Sequence, residues 1–470
     1  MKSIINKISF MVLGVALLAS CTDNFEEINE NPNAALSVPS SLYIPTLAER
    51  QADILYSLFV GGDMGGNWAQ HWSKVQYNDE ERYQPRNTVI EGTVWEGIYA
   101  GTLQDSKIMY ETAVSEGNDK TKGIALIWHS YGFSLLSDAF GDIPYTDALS
   151  AKDGISSPAY DLQSEIYPAL VDSLTAAVTY LNGAGTIDAT ADIMYGGDAS
   201  AWIKFANSLK FRLLMRMSGQ VDVSSQLTAL MSQPMFTSND DEAKVQYLES
   251  NPNANPLWNT IIFSNRGEHK VSETLVTQLQ NLADPRLEVF ADENEDGEYR
   301  GKPNGITTVP NDDWNYGNVS PIGEFYLQPD LPGLFMSYSE LQFFKAEAAA
   351  KGFIGGSPQE FYNSAVTANF EWNGIGSEAT SYLLSNPYVD LNSIHLQKWI
   401  ALYGQGFEAW TEWRRTQVPT LTPAIEGVVD EVPSRYNYPA SEQALNGSNY
   451  SAAVSTQGPD VLTTPIWWMK

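Results

Sequence analysis

Residues 136–149 have the sequence LSDAFGDIPYTDAL, in which a helical pattern comes to an abrupt stop. Upstream, over 121–139, apolar residues recur with the 3.6-residue spacing of one helix face. Gly141 is suited to a left-handed helix cap, and Pro144 cannot continue a helical turn. We therefore predict a helix that ends in this stretch and a turn that leads to a second helix over 160–182.

Further helical patterns lie on both sides of this pair and fall into two blocks. They are predicted at 41–60, 94–114 and 199–218 in the first block, and at 338–352 and 392–416 in the second. The sequence thus predicts a mainly α fold, an irregular stack of helical hairpins over 41–233 and 337–416. A loop-rich lobe, 234–336, is inserted between the blocks, and the C-terminal segment 417–470 is predicted to be irregular, because both are rich in turn-forming residues. No regular repeat period is present.

The predicted helix over 199–218 carries Lys204, Arg212 and Arg216 on one face, which is unusual in so acidic a chain. We expect these side chains to pair with internal carboxylates. An acidic partner is the alternative.

The first 21 residues have the order of features found in an export signal. Lysines precede a short apolar run over 8–19, and small residues lead to Cys21, the one cysteine of the chain. The run is too short for a permanent membrane span. We predict a signal peptide at 1–20 and a tether at 21–40 that is lipidated on Cys21. An ordinary secreted protein with a chance cysteine is the alternative.

Composition excludes several classes of partner. The 470 residues include 27 Lys and Arg against 57 Asp and Glu, a formal net charge of −30. Nucleic-acid binding requires a basic surface, so this balance argues against it, and it also argues against electrostatic attachment to anionic lipid. The charge suits a soluble body that stands off a cell surface.

Several stretches, in order along the chain, resemble the SusD/RagB family of outer-membrane nutrient-binding lipoproteins. They are residues 136–149 quoted above, PAYD at 158–161, WIKFANSLKFR at 202–212, KAEAAAKG at 345–352, EAWTEWRRT at 408–416 and TPIWW at 464–468. The end of the export signal resembles a bacterial lipobox. The acidic residues after Cys21 resemble a signal that directs lipoproteins to the outer cell surface.

The resemblance implies that the hairpins are tetratricopeptide-like and that the protein is lipid-anchored at the outer membrane, facing the cell exterior. It also implies a partner, a TonB-dependent transporter barrel of the SusC-like type on which the lipoprotein sits as a lid. Family members bind glycans, or in some cases peptides, and are not enzymes. Their ligand residues follow no fixed motif, so none is transferred to this chain by resemblance.

The most ligand-like stretch is 61–72, with the sequence GGDMGGNWAQHW. Four glycines suggest an open loop, and indole rings next to polar side chains suit the apolar faces and hydroxyls of a sugar. The candidate ligand-binding residues here are Trp68, His71, Trp72 and, close behind, Tyr77. The alternative is that the two tryptophans, four residues apart, form one buried helix face.

A second candidate lies in the loop-rich lobe at Trp314 and Tyr316, because loops often present ligand-binding side chains on a rigid scaffold. The alternative is a small core within the lobe.

Asp292, Asn294 and Asp296, followed by Gly297, match the start of a calcium-binding loop. The match fails further on, since Pro303 stands where a bidentate glutamate is needed, so a complete EF-hand is excluded. A partial calcium site and a solvated acidic turn both remain open. No other cofactor is expected.

These features together predict a non-catalytic surface lipoprotein that binds a glycan or an oligopeptide and delivers it to the transporter. Zinc-ligand spacing, a nucleophile elbow and a phosphate-binding loop are absent from the sequence. Two alternatives stay open: a surface enzyme that degrades glycans with a pair of carboxylates, and a structural lid without ligand specificity of its own.

Overall fold

The computed structural model describes residues 38–307 and 313–470. Ser40–Lys470 form one compact unit, and most of its buried apolar side chains join a single large core. The predicted signal peptide and the lipidation site at Cys21 lie outside the described residues.

The fold is mainly α, as predicted. The α-helices are α1 (Tyr43–Tyr56), α2 (Asn87–Val89), α3 (Gln104–Glu116), α4 (Asp119–Phe140), α5 (Gln163–Leu181), α6 (Ala199–Met217), α7 (Ser224–Leu230), α8 (Pro256–Trp258), α9 (Glu273–Asn281), α10 (Leu287–Phe290), α11 (Tyr338–Ala350), α12 (Pro358–Trp372), α13 (Ala379–Ser385), α14 (Leu391–Ala401), α15 (Gly406–Thr416), α16 (Ala440–Leu445) and α17 (Gly447–Gln457). Three further segments have π-helical hydrogen bonding: Leu58–Gly66, Ile90–Leu103 and Asn259–Phe263. Within the described ranges, no helix combines the length and the apolar character needed to cross a membrane.

Helices that are neighbours in the chain pack against each other as hairpins. α3 packs on α4, α4 on α5, α5 on α6, and α11 on α12. The first predicted boundary is confirmed, because α4 ends at Gly141. Gly141 has a φ of +88°, a region that favours glycine, and its amide donates to the Ser137 carbonyl at 2.8 Å. The helices therefore form the irregular stack of hairpins that the sequence predicts, and the hairpins are tetratricopeptide-like, as the resemblance implies.

The glycine-rich stretch near residue 61 is a helix in the core, where an open loop was expected. The π-helical segment Leu58–Gly66 crosses α15, and Gly61, Gly65 and Gly406 lie at the crossing. A Cβ on Gly406 would overlap the Gly61 carbonyl oxygen, and a Cβ on Gly65 would overlap the backbone of Gly406. Only glycine permits so close an approach of the two backbones.

Two short antiparallel ladders involve the loop-rich lobe, and the first of them joins it to the helical body. Strand β1 (Trp72–Lys74) pairs with β3 (His269–Val271), and β2 (Ala243–Val245) pairs with β4 (Gly333–Met336). β1 begins six residues after the end of Leu58–Gly66, which we call the glycine-packed segment, whereas β3 belongs to the lobe. The first ladder therefore fixes part of the lobe to the core.

The basic face of α6 pairs internally, as expected. Arg212 donates to Glu340 of α11 through Nε at 2.7 Å and Nη2 at 2.6 Å. Arg216 pairs with Asp138 of α4 at 2.7 Å and also contacts a carboxylate of α15. Lys204 pairs with Asp241 at 2.7 Å. The two arginine pairs are buried and connect α6 to three other helices.

The C-terminal segment 417–470, predicted to be irregular, contains α16 and α17. These short helices are rich in Ala and Ser and carry few large apolar residues, so no apolar periodicity marks them. The segment also completes the core, since Tyr436 stacks on Trp410 with ring centroids 5.1 Å apart.

We expect Gly406→Ala to lower the free energy of unfolding by about 1–3 kcal/mol, the usual cost of adding volume to a tightly packed site. Urea denaturation measures this change. Gly92→Ala is the matched control, because Gly92 is also helical but a Cβ there meets nothing within 4 Å. The control should be as stable as the wild type or slightly more stable. Equal stability of the two variants would contradict the proposed role of the crossing.

Candidate ligand-binding groove

Three of the side chains predicted to bind ligand are in the core. Trp68, His71 and Trp72 are at most 1% exposed. Trp68 packs edge-on against Trp410 with centroids 5.1 Å apart, and its Nε1 donates to the Glu80 carbonyl at 2.8 Å. Burial lowers the pKa of His71 to about 3. This corrects the prediction: buried rings offer no face to a sugar, and the preceding glycines pack as a helix instead of opening a loop.

A groove of about 720 Å³ lies at the end of the β1–β3 ladder. Its volume falls within the range of about 300–1,000 Å³ that is typical of ligand sites. The groove is lined by Tyr77, Asn265, Arg266, Gly267, Glu268 and Tyr316. Tyr77 and Tyr316 are 60% and 44% exposed, so each ring has free surface. Two aromatic residues predicted as parts of separate sites thus line one groove.

Arg266 is held in the groove wall by a carboxylate. Its Nε and Nη2 donate to the same oxygen of Glu268, at 2.8 and 2.5 Å. The Arg266 Cζ lies 5.4 Å from the centroid of the Tyr77 ring. Burial raises the pKa of the Glu268 carboxyl, but the Arg266 hydrogen bond, a backbone hydrogen bond and nearby positive charge together hold the pKa below its usual value. The guanidinium is therefore oriented beside the tyrosine, and its charge is balanced locally.

Tyr316 is fixed from two sides. Its hydroxyl donates to Gln76 Oε1 at 2.9 Å, next to Tyr77 in the chain. The Lys270 Nζ donates to the Tyr316 carbonyl at 3.0 Å and lies 5.8 Å from the ring centroid. Burial lowers the pKa of Lys270. These contacts hold the ring of Tyr316 in one position beside the end of β1.

A buried charged cluster adjoins the groove and joins the two strands. The Lys74 Nζ donates to Asp63 Oδ1 at 2.9 Å, and His269 Nε2 lies 2.9 Å from the same oxygen. Lys74 and His269 are directly opposite in the β1–β3 ladder. Asp63 comes from the glycine-packed segment, so the cluster ties both strands to that segment. The next pair of residues along the ladder leads into the groove, where the Val75 amide donates to the Glu268 carbonyl at 3.0 Å.

Trp314 is half-buried and is not one of the six lining residues. The Arg300 Cζ lies 4.3 Å from its ring centroid. Trp314 is two residues before Tyr316 in the chain, and its ring lies against an arginine of the lobe. Tyr316 therefore lines the groove and Trp314 does not.

The acidic turn at 292–298 is organised by its own hydrogen bonds. Asn294 Oδ1 accepts from the amides of Asp296 and Glu298 at 3.0 and 2.9 Å, and Asp292 Oδ1 accepts from the Glu324 amide at 3.4 Å. Among the described residues, no group of three or more His, Cys, Asp or Glu side chains is placed to hold a metal ion. These hydrogen bonds connect the turn without an ion, and calcium binding by Asp292, Asn294 and Asp296 stays a prediction.

Two other surface clefts have less suitable linings. One, of about 400 Å³, is lined by Thr46, Glu49, Arg50, Asp53, Ile54 and Thr93. Another, of about 210 Å³, lies between 282–285 and 378–386, and its one aromatic residue, Tyr382, is buried. Neither of these two clefts has an exposed aromatic ring in its lining, so the groove at the end of the β1–β3 ladder is the strongest candidate.

Sequence reasoning missed the wall formed by residues 265–268. The search was for aromatic side chains, and this stretch has the sequence NRGE. The sequence does contain a signal for this wall. Asn and Gly favour a turn, and an arginine in a turn is unusual in so acidic a chain. That the stretch faces Tyr77, nearly 190 residues away, depends on the pairing of β1 with β3.

Comparison with known proteins gives consistent matches over most of the chain. A family model named SusD-like, described as starch-binding and associating with the outer membrane, matches residues 34–439. A chitin-binding protein of known structure is 26% identical with a TM-score of 0.80, covering 91% of this chain and 98% of that one. A search of curated protein sequences found no match.

Two further solved structures have the same fold. A chitin-binding SusD homologue from Flavobacterium johnsoniae is 24% identical with a TM-score of 0.77, covering 92% of this chain and 98% of that one. A SusD homologue from Bacteroides fragilis is 21% identical with a TM-score of 0.79, covering 92% and 100%.

We expect Asp63→Asn to destabilise the protein at neutral pH by roughly 3 kcal/mol or more, because Lys74 is left as a buried, unpaired charge. Burial raises the pKa of Asp63, but His269 and Lys74 outweigh it, so the pKa lies below the ordinary 3.8. The ionised carboxylate therefore stabilises the fold above pH 3.8, and this contribution is lost as the pH falls through the lower folded-state pKa.

Urea denaturation of wild type and Asp63→Asn across a pH series measures the effect. The difference in unfolding free energy should narrow below pH 3.8. Asp330→Asn, at an exposed position, is the control and should track the wild type. A difference between wild type and Asp63→Asn that stays constant over the whole series would show that the charge of Asp63 has no such role.

Proposed function

We propose that this chain, which belongs to the SusD-like family, captures a glycan in the groove between Tyr77 and Tyr316. The observation that carries the proposal is the combination of two exposed tyrosine rings with hydrogen-bonding groups in one groove. Sugar rings present apolar C–H faces bordered by hydroxyls, and the groove offers a partner for each. Tyr77 and Tyr316 supply the rings, and Asn265 and Arg266 supply the polar groups.

The ligand class favoured is a neutral polysaccharide. Glu268 balances the charge of Arg266, and the chain as a whole carries a formal charge of −30, so an anionic ligand gains little and is repelled at long range. The 26% identical relative is a chitin-binding protein, and the family is described as starch-binding, which supports a polysaccharide over the alternative of an oligopeptide.

Binding without cleavage is the proposed activity. A glycosidase typically needs two carboxyl groups on either side of the scissile bond. Of the six described residues that line the groove, Glu268 is the one carboxylate, and Arg266 holds it on one side. This composition favours capture of an intact ligand over the alternative of a glycan-degrading enzyme.

The place of capture and the next step are also proposals. The family description supports association with the outer membrane, and the export signal with Cys21 supports a lipid anchor. We propose that the protein faces the cell exterior and passes its ligand to a TonB-dependent transporter barrel. The groove supports a binding role of the protein's own, in contrast to a lid without specificity.

Replacement of both groove tyrosines should abolish or strongly weaken binding. We expect Tyr77→Ala with Tyr316→Ala to reduce affinity for malto- or chito-oligosaccharides by at least about tenfold, which corresponds to about 1.4 kcal/mol. Isothermal titration calorimetry of the soluble body, without residues 1–21, measures the affinity, and mass spectrometry of each mixture checks that the sugar is intact.

Leu384→Ala is the control, since Leu384 is exposed on α13, which contributes no residue to the groove lining. It should bind like the wild type. Undiminished binding by the double tyrosine variant would reject the groove as the site, and cleaved sugar in the wild-type mixture would favour the enzyme.

Membrane attachment should depend on the thiol of residue 21. Expressed at full length in a Gram-negative host, Cys21→Ser should leave the membrane fraction and fail to incorporate labelled fatty acid, because a hydroxyl cannot take the lipid. Thr22→Ser is the control and should stay in the membrane fraction. Unchanged fractionation of Cys21→Ser would rule out the anchor.

A further inference from the structure

A continuous exposed strip leads out of the groove along the chain. Residues 262–267 are all exposed, and the strip ends at the groove wall formed by Asn265 and Arg266. It begins with two apolar side chains, Ile262 and Phe263, which are 49% and 65% exposed. The Cα atoms of Phe263 and Arg266 are separated by at most about 11 Å, the length of three extended residues. Phe263 is therefore close to the groove but outside its lining.

The strip is anchored on a rigid base. Leu257 and Ile261 are buried in the core, and the Asn255 side chain donates to the Leu331 carbonyl at 3.0 Å. The Ser264 amide donates to the Asn259 carbonyl at 3.0 Å, and the Arg266 amide donates to the Ile261 carbonyl at 3.0 Å. These backbone hydrogen bonds close the π-helical turn Asn259–Phe263 and fix the direction in which the Phe263 side chain projects.

Phe263 is supported by a second aromatic ring. Its centroid lies 5.6 Å from that of Trp258, with an angle of 36° between the rings. Trp258 is half-buried, whereas Phe263 keeps most of its surface in solvent. Burial of a phenylalanine side chain is favourable, so an exposed position forgoes this stabilisation in the free protein. A supported, exposed ring that continues an open groove is suited to stacking on a ligand.

We infer that Phe263, backed by Trp258, is an outer subsite that binds further sugar units of a neutral oligosaccharide whose first units occupy the groove. The inference rests on the proposed function and extends it. The groove alone serves a short oligosaccharide. A longer one continues along the strip 262–267 and stacks on Phe263, so wild-type affinity rises with chain length.

The test compares a trisaccharide with a hexasaccharide of each probe series, maltotriose with maltohexaose and chitotriose with chitohexaose, by isothermal titration calorimetry. In Phe263→Ala, the affinity for the bound series' hexasaccharide should fall about tenfold while the affinity for its trisaccharide stays unchanged. Leu384→Ala, the exposed apolar control, should change neither value.

The possible failures have different signatures. An unchanged hexasaccharide affinity in Phe263→Ala would overturn the subsite and would favour a role of this ring in contact with another protein. Equal losses for both lengths in a folded variant would also overturn it, by placing Phe263 in the groove itself. If the double tyrosine variant loses affinity for both oligosaccharides while Phe263→Ala loses affinity for neither, the proposed function stands and the subsite is rejected. No binding of either series by the wild type would reject the polysaccharide ligand and the subsite together.

Discussion

The close contact of glycine backbones where the π-helical segment Leu58–Gly66 crosses α15 is the constraint on which the groove depends. Gly406 meets Gly61 and Gly65 without a side chain between them. This contact buries the segment in the core and directs the chain that follows into β1. It also places Asp63 inside the protein, where the carboxylate needs charged or hydrogen-bonding partners because burial without them is very unfavourable. Lys74 and His269 provide these partners from β1 and β3.

The charged cluster and the ladder explain how a loop-rich lobe presents a defined surface. β1 and β3 come from distant parts of the chain, and their register brings Tyr77 beside Arg266. Most of the aromatic residues serve the core, including Trp68 and Trp72. The proposed binding surface uses two of the rings that remain exposed, and each has a neighbour that orients it: Arg266 lies beside Tyr77, and Gln76 accepts a hydrogen bond from Tyr316. A scaffold of packed helices with ligand residues at the ends of short strands allows the groove to vary while the fold stays the same.

Much of the fold was predictable from the sequence, whereas the site was predictable only in part. Apolar periodicity marks the long helices, and Gly141 marks a helix end through its backbone freedom. The π-helical packing of 61–66 was not predictable, because four glycines fit an open loop equally well and the deciding partner, Gly406, lies about 340 residues away. The sequence predicts Tyr77 as a ligand residue because it follows the tryptophan-rich stretch, and Tyr316 because it lies in the loop-rich lobe. Their convergence follows from strand register, which no local pattern encodes.

Hydrogen exchange of the soluble body, with and without a saturating oligosaccharide of the series it binds, shows where the ligand is bound. If the ligand binds at the end of the β1–β3 ladder, we expect slower exchange of backbone amides at 75–77, 262–268 and 315–318 in the bound state, with little change elsewhere. Slower exchange confined to another surface, such as the cleft between 282–285 and 378–386, would contradict this location of the site.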